Sequence, residues 1–212
     1  MTLAAALTGL AVCALLIAEW RDSRIGVWIA KPLASVGFVA VALLGGASES
    51  IYGRSVLVGL CLCVVGDVLL IPRANGKTFL LGIGSFALGH VAYAWAFYAR
   101  SPQLGPSVIA FAIMAVIVGT TLRWLAPHLP ADMRVPVRVY MVVIATMVAL
   151  AVGASATTGE LRMAVGAAAF AASDLSVARE RFVRPNLNNL LWGLPLYYAA
   201  QLVLASTAVS GQ

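Results

Sequence analysis

The sequence predicts an all-α membrane protein, a bundle of eight transmembrane helices. Of its 212 residues, 62% are hydrophobic and only 10% are charged, whereas a soluble domain carries about 25% charged residues. The mean hydropathy is correspondingly high, at +0.96. The apolar residues also fall into runs of about 20, the length that a helix needs to cross a bilayer. This composition excludes a cytosolic enzyme, a disordered chain and a nucleic-acid-binding domain, so we expect no nucleic-acid partner.

Short connections separate the apolar runs, so residues 1–212 are expected to form a single integral membrane domain. The first run has no basic residue before it, which favours a spanning helix over a cleaved signal peptide. Pro32 is placed in the first turn of the second run, where proline is tolerated. Proline, glycine and asparagine mark the connections after the third, fourth and fifth runs. The predicted spans are residues 2–18, 29–46, 55–72, 78–99, 104–125, 135–153, 161–178 and 188–209.

Basic residues predict the orientation of the bundle. Eleven of the 14 lysines and arginines fall in the connections 1–2, 3–4, 5–6 and 7–8, and three fall on the other side. Because cytoplasmic loops carry the excess of Lys and Arg, both termini are expected on the non-cytoplasmic side of a membrane, of the bacterial cell-membrane type. The oligomeric state does not follow from the sequence.

Two carboxylates lie inside predicted spans. Asp67 belongs to the third span and Asp174 to the seventh, each about one turn from the predicted cytoplasmic end. An ionisable residue in a span is costly and is by default a candidate functional residue. The alternative is a structural carboxylate that bonds to a neighbouring helix or to a loop arginine.

Polar side chains also follow helical spacing in the fourth and eighth spans. His90 and Tyr93 lie on an aromatic stripe of the fourth span, and Asn189, Tyr197 and Gln201 lie on one face of the eighth, with Tyr198 beside them. These residues could line a site, or could form aromatic packing and hydrogen bonds between helices. Only two histidines are present, so a three-histidine zinc site is excluded.

An equal spacing links the acids to these stripes. Asp67 precedes His90 by 23 positions, and Asp174 precedes Tyr197 by 23 positions. The two halves are therefore candidates for parallel four-helix repeats with a cavity at their interface. Lys31, which opens the second span, could snorkel to headgroups, bind a phosphate or pair with one of the acids.

The order and spacing of several short motifs resemble the YhhN-like family of membrane proteins, which includes the lysoplasmalogenases. The motifs are Lys31-Pro32, Gly66-Asp67, Phe79-x-x-Gly82-x-x-x-Phe86-x-x-x-His90-x-x-Tyr93, Ser173-Asp174 followed by Phe182, and Leu194-Pro195-Leu196-Tyr197-Tyr198-Ala199-Ala200-Gln201. The resemblance implies eight spans and hydrolysis of the vinyl ether bond of lysoplasmalogens, membrane lysophospholipids, to a fatty aldehyde and a glycerophospho-alcohol. It places the paired aspartates of the family on Asp67 and Asp174.

Vinyl ether hydrolysis needs a proton donor, a carboxylate that stabilises the cation and activates water, and a cavity that limits bulk water. We expect Asp67 and Asp174 to supply the acid and the base, without a metal or another cofactor. His90, Tyr93, Tyr197 and Gln201 would orient them, with Tyr198 and Asn189 in support, and Lys31 and Arg179 would hold the phosphate. The alternatives are a small proton- or cation-coupled transporter or a lipid-binding protein that uses the same acids, and a structural subunit of a larger membrane complex.

Overall fold

The computed structural model describes residues 1–72 and 76–208. All regular secondary structure in these two ranges is helical, and eight α-helices account for nearly all of it. They are α1 (Thr2–Trp20), α2 (Arg24–Leu44), α3 (Ile51–Leu69), α4 (Gly76–Tyr98), α5 (Leu104–Leu125), α6 (Arg134–Thr158), α7 (Arg162–Ala178) and α8 (Leu187–Thr207).

The prediction of eight helices is confirmed. Seven helical segments of the described chain are long and apolar enough to cross a membrane. The exception is α7, which has 17 α-helical residues and continues as a π-helical turn over Arg179–Val183. The predicted end of the eighth span at residue 209 lies outside the described residues.

The predicted start of the second span is wrong, and with it the placement of Pro32. Helix α2 begins at Arg24, where the Ser23 hydroxyl accepts a hydrogen bond from the Gly26 amide as an N-terminal cap. Pro32 therefore lies in the helix interior, where it removes one backbone hydrogen bond. The hydropathy pattern missed this start because Arg24 is charged. The helix begins there because Ser23 caps a backbone amide of its first turn, and such a cap leaves no trace in hydropathy. The predicted end of the third span is also wrong, because α3 stops at Leu69 and not at residue 72.

Six of the helices pack as a closed ring. In order around the ring, α2, α3, α4, α6, α7 and α8 each contact the next, and α8 returns to α2. The contact of α4 with α6 corresponds to the contact of α8 with α2, as expected if the two halves of the chain repeat one four-helix unit. Close approach is possible where small residues meet: a Cβ at Gly193 on α8 would overlap the hydroxyl of Ser176 on α7.

Helices α1 and α5 lie outside this ring. Helix α1 packs on α2 and α8, and α5 packs mainly on α6. Helix α5 accordingly presents large apolar side chains outward, among them Ile109, Phe111 and Val116, as a lipid-facing helix does. The ring thus holds most of the buried polar and aromatic residues, and the outer helices separate parts of it from lipid.

Both predicted stripes face the interior of the ring. On α4, Phe79, Phe86, His90, Tyr93 and Phe97 are all buried. On α8, Asn189, Gly193, Tyr197 and Gln201 are buried as well. These interior faces meet the carboxylate-bearing ends of α3 and α7.

Candidate active site

Asp67, near the end of α3, is buried beside a cation and two hydroxyl groups. Its Oδ1 atom lies 3.5 Å from the Lys31 Nζ on α2. Its Oδ2 atom lies 2.7 Å from the hydroxyl oxygens of both Ser35 on α2 and Tyr197 on α8. Charge-assisted bonds of this kind are the stronger hydrogen bonds of proteins, so this pocket suits a carboxylate.

A chain of hydrogen bonds orients the Tyr197 hydroxyl. The Tyr93 hydroxyl donates to the Gln201 Oε1 at 2.8 Å, and the Gln201 Nε2 donates to the Tyr197 oxygen at 3.1 Å. Because Tyr197 accepts from Gln201, its own proton is directed at Asp67. Tyr93 and Gln201 thus act on Asp67 through Tyr197, as supporting residues.

Asp174, on α7, has different neighbours. Its Oδ2 accepts a hydrogen bond from the Tyr140 hydroxyl on α6 at 3.1 Å and lies 3.6 Å from the Nε2 of His90 on α4. The His90 Nδ1 donates to the carbonyl of Phe86 at 2.6 Å. The imidazole also stacks on Phe170, with ring centroids 4.3 Å apart. Asp174 thus lies in an aromatic environment, next to a fully buried histidine.

The acids pair crosswise between the halves of the chain. The equal spacing places Asp67 with His90 and Asp174 with Tyr197, but the contacts are Asp67 with Tyr197 and Asp174 with His90. The exchange occurs across the interior of the ring: α3 packs mainly on α4 and α7 mainly on α8, yet the Asp67 side chain reaches α8 and the Asp174 side chain reaches α4. The spacing therefore picked out residues that contact the acids but not the pairs that they form.

Both carboxylates line one cavity of about 670 Å³, a size typical of ligand pockets. Its apolar part lies between α5, α6 and α7, and its polar part lies where α2, α3 and the α7–α8 connection meet. Charged residues at the polar end are Glu19, Lys31, Glu180 and Arg181. The apolar lining includes Met114, Ile117, Val118, Met141, Ile144, Ala168, Ala171 and Ala172.

The predicted supporting residues divide into four groups by their position relative to the cavity. Lys31 and Tyr197 line the cavity, whereas His90, Tyr93 and Gln201 lie behind the residues that do. Tyr198 lies 3.1 Å from the Ser35 hydroxyl and contacts the Lys31 carbonyl, so it supports the Asp67 pocket from outside the cavity.

Asn189 and Arg179 do not line the cavity. The Asn189 amide donates to the Glu180 carboxylate and to the Arg184 carbonyl, at 2.9 Å each, and so closes the α7–α8 connection. Arg179 is exposed and is not among the residues that line the cavity. Arg181, two residues further along the π-helical turn, lines the cavity instead. Its guanidinium lies 4.4 Å from the centre of the Phe79 ring.

Sequence reasoning missed three residues of the site: Ser35, Tyr140 and Arg181. Ser35 could have been found, because it lies one helical turn after Lys31 and so shares its face. Tyr140 lies in the long, mostly apolar α6, where no pattern marks it. Within residues 1–72 and 76–208, no three His, Cys, Asp or Glu side chains cluster as a metal site would require.

The helices and the site define a class: a polytopic α-helical membrane protein with two carboxylates in a cavity within its span. The sequence profile of the YhhN family matches residues 26–208, and the chain belongs to this family. It is 34% identical over 175 residues to a lysoplasmalogenase of Mycobacterium bovis, covering 78% of this chain and 65% of that relative. It is also 31% identical over 202 residues to the lysoplasmalogenase TMEM86B of Sus scrofa, covering 93% of this chain and 83% of that protein.

The human lysoplasmalogenase TMEM86B is 35% identical over 156 residues, covering 72% of this chain and 63% of the relative. The chain thus spans just under two thirds of the Mycobacterium bovis relative, 65% of its length. No solved structure matches the chain significantly.

Proposed function

We propose that this protein is a membrane hydrolase of the lysoplasmalogenase type, which cleaves the vinyl ether bond of a lysophospholipid to a fatty aldehyde and a glycerophospho-alcohol. The observation that carries the proposal is that Asp67 and Asp174 line a single, largely apolar cavity. The names of the curated relatives support it.

The chemistry of the bond fits this pair of residues. A vinyl ether resists bases and nucleophiles, but protonation of the carbon β to oxygen converts it to an oxocarbenium ion that adds water. One carboxyl group is needed as an acid, and a second, ionised group stabilises the cation and takes a proton from the water. An apolar cavity limits bulk water around both groups.

The cavity also fits the shape of a single-chain lipid. The vinyl ether of such a lipid joins its chain to the glycerol, at the boundary between apolar and polar parts. Asp67 lies two residues before the end of α3 and Asp174 four before the end of α7, so both lie close to this boundary. Ala168, six residues before Asp174, lies about 9 Å further into the bilayer. The hydrocarbon chain would lie along α6 between α5 and α7.

The headgroup would lie at the polar end of the cavity. Lys31 and Arg181 both line this end and could neutralise the phosphate. The excess of lysine and arginine at the same end of the bundle supports a cytoplasmic location for it. The termini would then face the non-cytoplasmic side, and the substrate would come from the cytoplasmic leaflet of a cell membrane of the bacterial type.

The test is aldehyde release by the purified protein in nanodiscs, with alkenyl, alkyl and acyl lysophospholipids of equal chain length. We expect turnover of the alkenyl lipid alone. In D₂O, the aldehyde should carry one deuterium on the carbon next to the carbonyl, because the first step protonates that carbon. Rapid reduction of the aldehyde to the alcohol preserves this label.

Asp67→Asn and Asp174→Asn should each reduce turnover by about 100- to 10,000-fold, the contribution typical of a positioned acid or base. Asp132→Asn is the matched control, since Asp132 is exposed and does not line the cavity, and it should retain wild-type turnover. Turnover of the acyl lipid alone would make the protein a different hydrolase. Proton-coupled uptake into sealed vesicles without aldehyde release would make it a transporter.

A further inference from the structure

The hydrogen bond from His90 to Phe86 determines which ring nitrogen of the histidine carries hydrogen. A backbone carbonyl only accepts hydrogen bonds, so the Nδ1 that lies 2.6 Å from the Phe86 oxygen must be the donor. In the neutral imidazole, Nε2 is then an acceptor. This nitrogen is buried and has no hydrogen-bond partner within 3.5 Å among the described residues.

The atom that faces this acceptor is an oxygen of Asp174, 3.6 Å away. An ionised carboxylate also only accepts, so two acceptors would face each other unless one proton lies between them. An ion pair of imidazolium and carboxylate is disfavoured here, because desolvating two charges in an apolar site is costly. The proton therefore belongs on Asp174, where the carboxyl group can donate to Nε2.

Asp67 has the opposite environment. Its neighbours include an ammonium group, that of Lys31, and a tyrosine hydroxyl whose proton is directed at it by the bond from Gln201. Both groups donate, and they require Asp67 to accept. Asp67 is therefore the ionised member of the pair.

From these contacts we propose that Asp174 is the acid that protonates the alkenyl carbon and that Asp67 is the carboxylate that activates water, with His90 and Tyr140 as positioning residues for Asp174. This assignment rests on the function proposed above. It distinguishes two residues that are equivalent by sequence, and it gives a role to Tyr140.

The resulting cycle is balanced. Asp174 transfers its proton to the β carbon, and the C=C electron pair forms the new C–H bond, which leaves an oxocarbenium ion. Water adds to the adjacent carbon as Asp67 takes one of its protons, which gives a hemiacetal. Cleavage of the bond to the glycerol oxygen then follows, as that oxygen takes the proton from Asp67 and Asp174 takes the hemiacetal hydroxyl proton. Both residues return to their starting states, and one water has been consumed.

The test reads the proton positions directly, without turnover. The chain has two histidines and four aspartates, so a His128→Asn protein contains His90 alone and can be labelled on histidine with ¹⁵N and on aspartate with ¹³C. We expect NMR to show a neutral imidazole with hydrogen on Nδ1, and infrared spectroscopy to show a carboxylic acid C=O band. Asp174→Asn should remove that band, and Asp67→Asn should leave it.

Two variants of Asp174 separate hydrogen bonding from proton transfer. Asp174→Asn keeps an N–H donor for Nε2, so the His90 resonances should stay near their wild-type positions. Asp174→Leu removes the donor, so the Nε2 resonance should move. Both should lose about 100- to 10,000-fold in turnover, whereas Tyr140→Phe should lower kcat about 10-fold with KM unchanged.

An imidazolium signal from His90 at neutral pH, in the His128→Asn protein with both aspartates intact, would overturn the assignment. A carboxylic acid band that persists in Asp174→Asn would overturn it as well. Neither readout depends on turnover. If the protein cleaves no vinyl ether, the proposed function is refuted, but the spectra still decide the proton positions.

Discussion

Tyr197 on α8 donates its hydroxyl proton to Asp67 on α3 at 2.7 Å, although the two residues are 130 positions apart. The bond joins the second half of the chain to the first and completes the Asp67 pocket. It also sets Tyr197 apart from the neighbouring Tyr198, whose hydroxyl contacts Ser35 and the Lys31 carbonyl.

Tyr197→Phe should slow turnover more than Tyr198→Phe does. The first change removes a donor to an ionised carboxylate, and such bonds contribute about 1.5–3 kcal/mol, which corresponds to about 10- to 100-fold in kcat. Tyr198 does not line the cavity, so its loss should change kcat less than about threefold. Steady-state aldehyde release from both purified variants measures the difference. Equal losses would show that the Tyr197 hydroxyl has no special role.

Lys31→Met should destabilise the protein as well as inactivate it. Lys31 and Asp67 have side chains only 12% and 3% exposed, and breaking a buried ion pair by removing one partner costs about 3–5 kcal/mol. The double variant Lys31→Met with Asp67→Asn removes both charges, so it should regain much of the lost stability but no activity. Thermal unfolding in detergent reports the stability. A double variant no more stable than Lys31→Met would argue against the ion pair.

Ala168→Phe should shorten the hydrocarbon chain that the protein accepts. Ala168 lines the apolar part of the cavity, and a phenyl ring there would occupy space proposed for the end of the chain. Turnover of long-chain substrates should fall about 10-fold or more relative to short-chain ones, as steric exclusion predicts. Val165→Phe is the control, because Val165 is exposed on the same helix and does not line the cavity. An unchanged chain-length profile for Ala168→Phe would place the chain elsewhere.

Glu160→Gln should lower stability at neutral pH without affecting turnover. Glu160 lies in the α6–α7 connection, and the hydrogen bond from the Arg162 guanidinium lowers the pKa of its carboxyl from 4.5 to about 2. Since the pKa is lower in the folded state, this stabilisation is present above about pH 4.5 and is lost as the pH falls towards 2. We expect about 1 kcal/mol or less for such a partly exposed pair.

Thermal unfolding of wild type and Glu160→Gln between pH 7 and 2 measures this effect. The difference in Tm should be largest at neutral pH and should disappear at the acidic end. Glu49→Gln, in the α2–α3 connection, is the control. A Tm difference that does not change over this pH range would mean that the Glu160 carboxylate is not stabilised by Arg162.

Local patterns in the sequence determined the number of helices, the inward faces of α4 and α8, and the candidacy of Asp67 and Asp174. Hydropathy and helical spacing depend on residues that are close in sequence, and burial in a membrane makes both patterns easy to recognise. The same patterns misplaced Pro32, because a capping serine and a charged first turn extend α2 beyond its apolar run.

Only the tertiary structure decided which groups meet the two acids. The equal spacing of Asp67 to His90 and of Asp174 to Tyr197 suggested pairs within each half, but in the folded chain each acid contacts the other half's partner. Tyr140 and Arg181 likewise enter the site through the packing of α6 and the π-helical turn after α7. Hydrogen-bond partners depend on which distant helices pack together, and a single apolar sequence permits many packing orders that differ little in buried area.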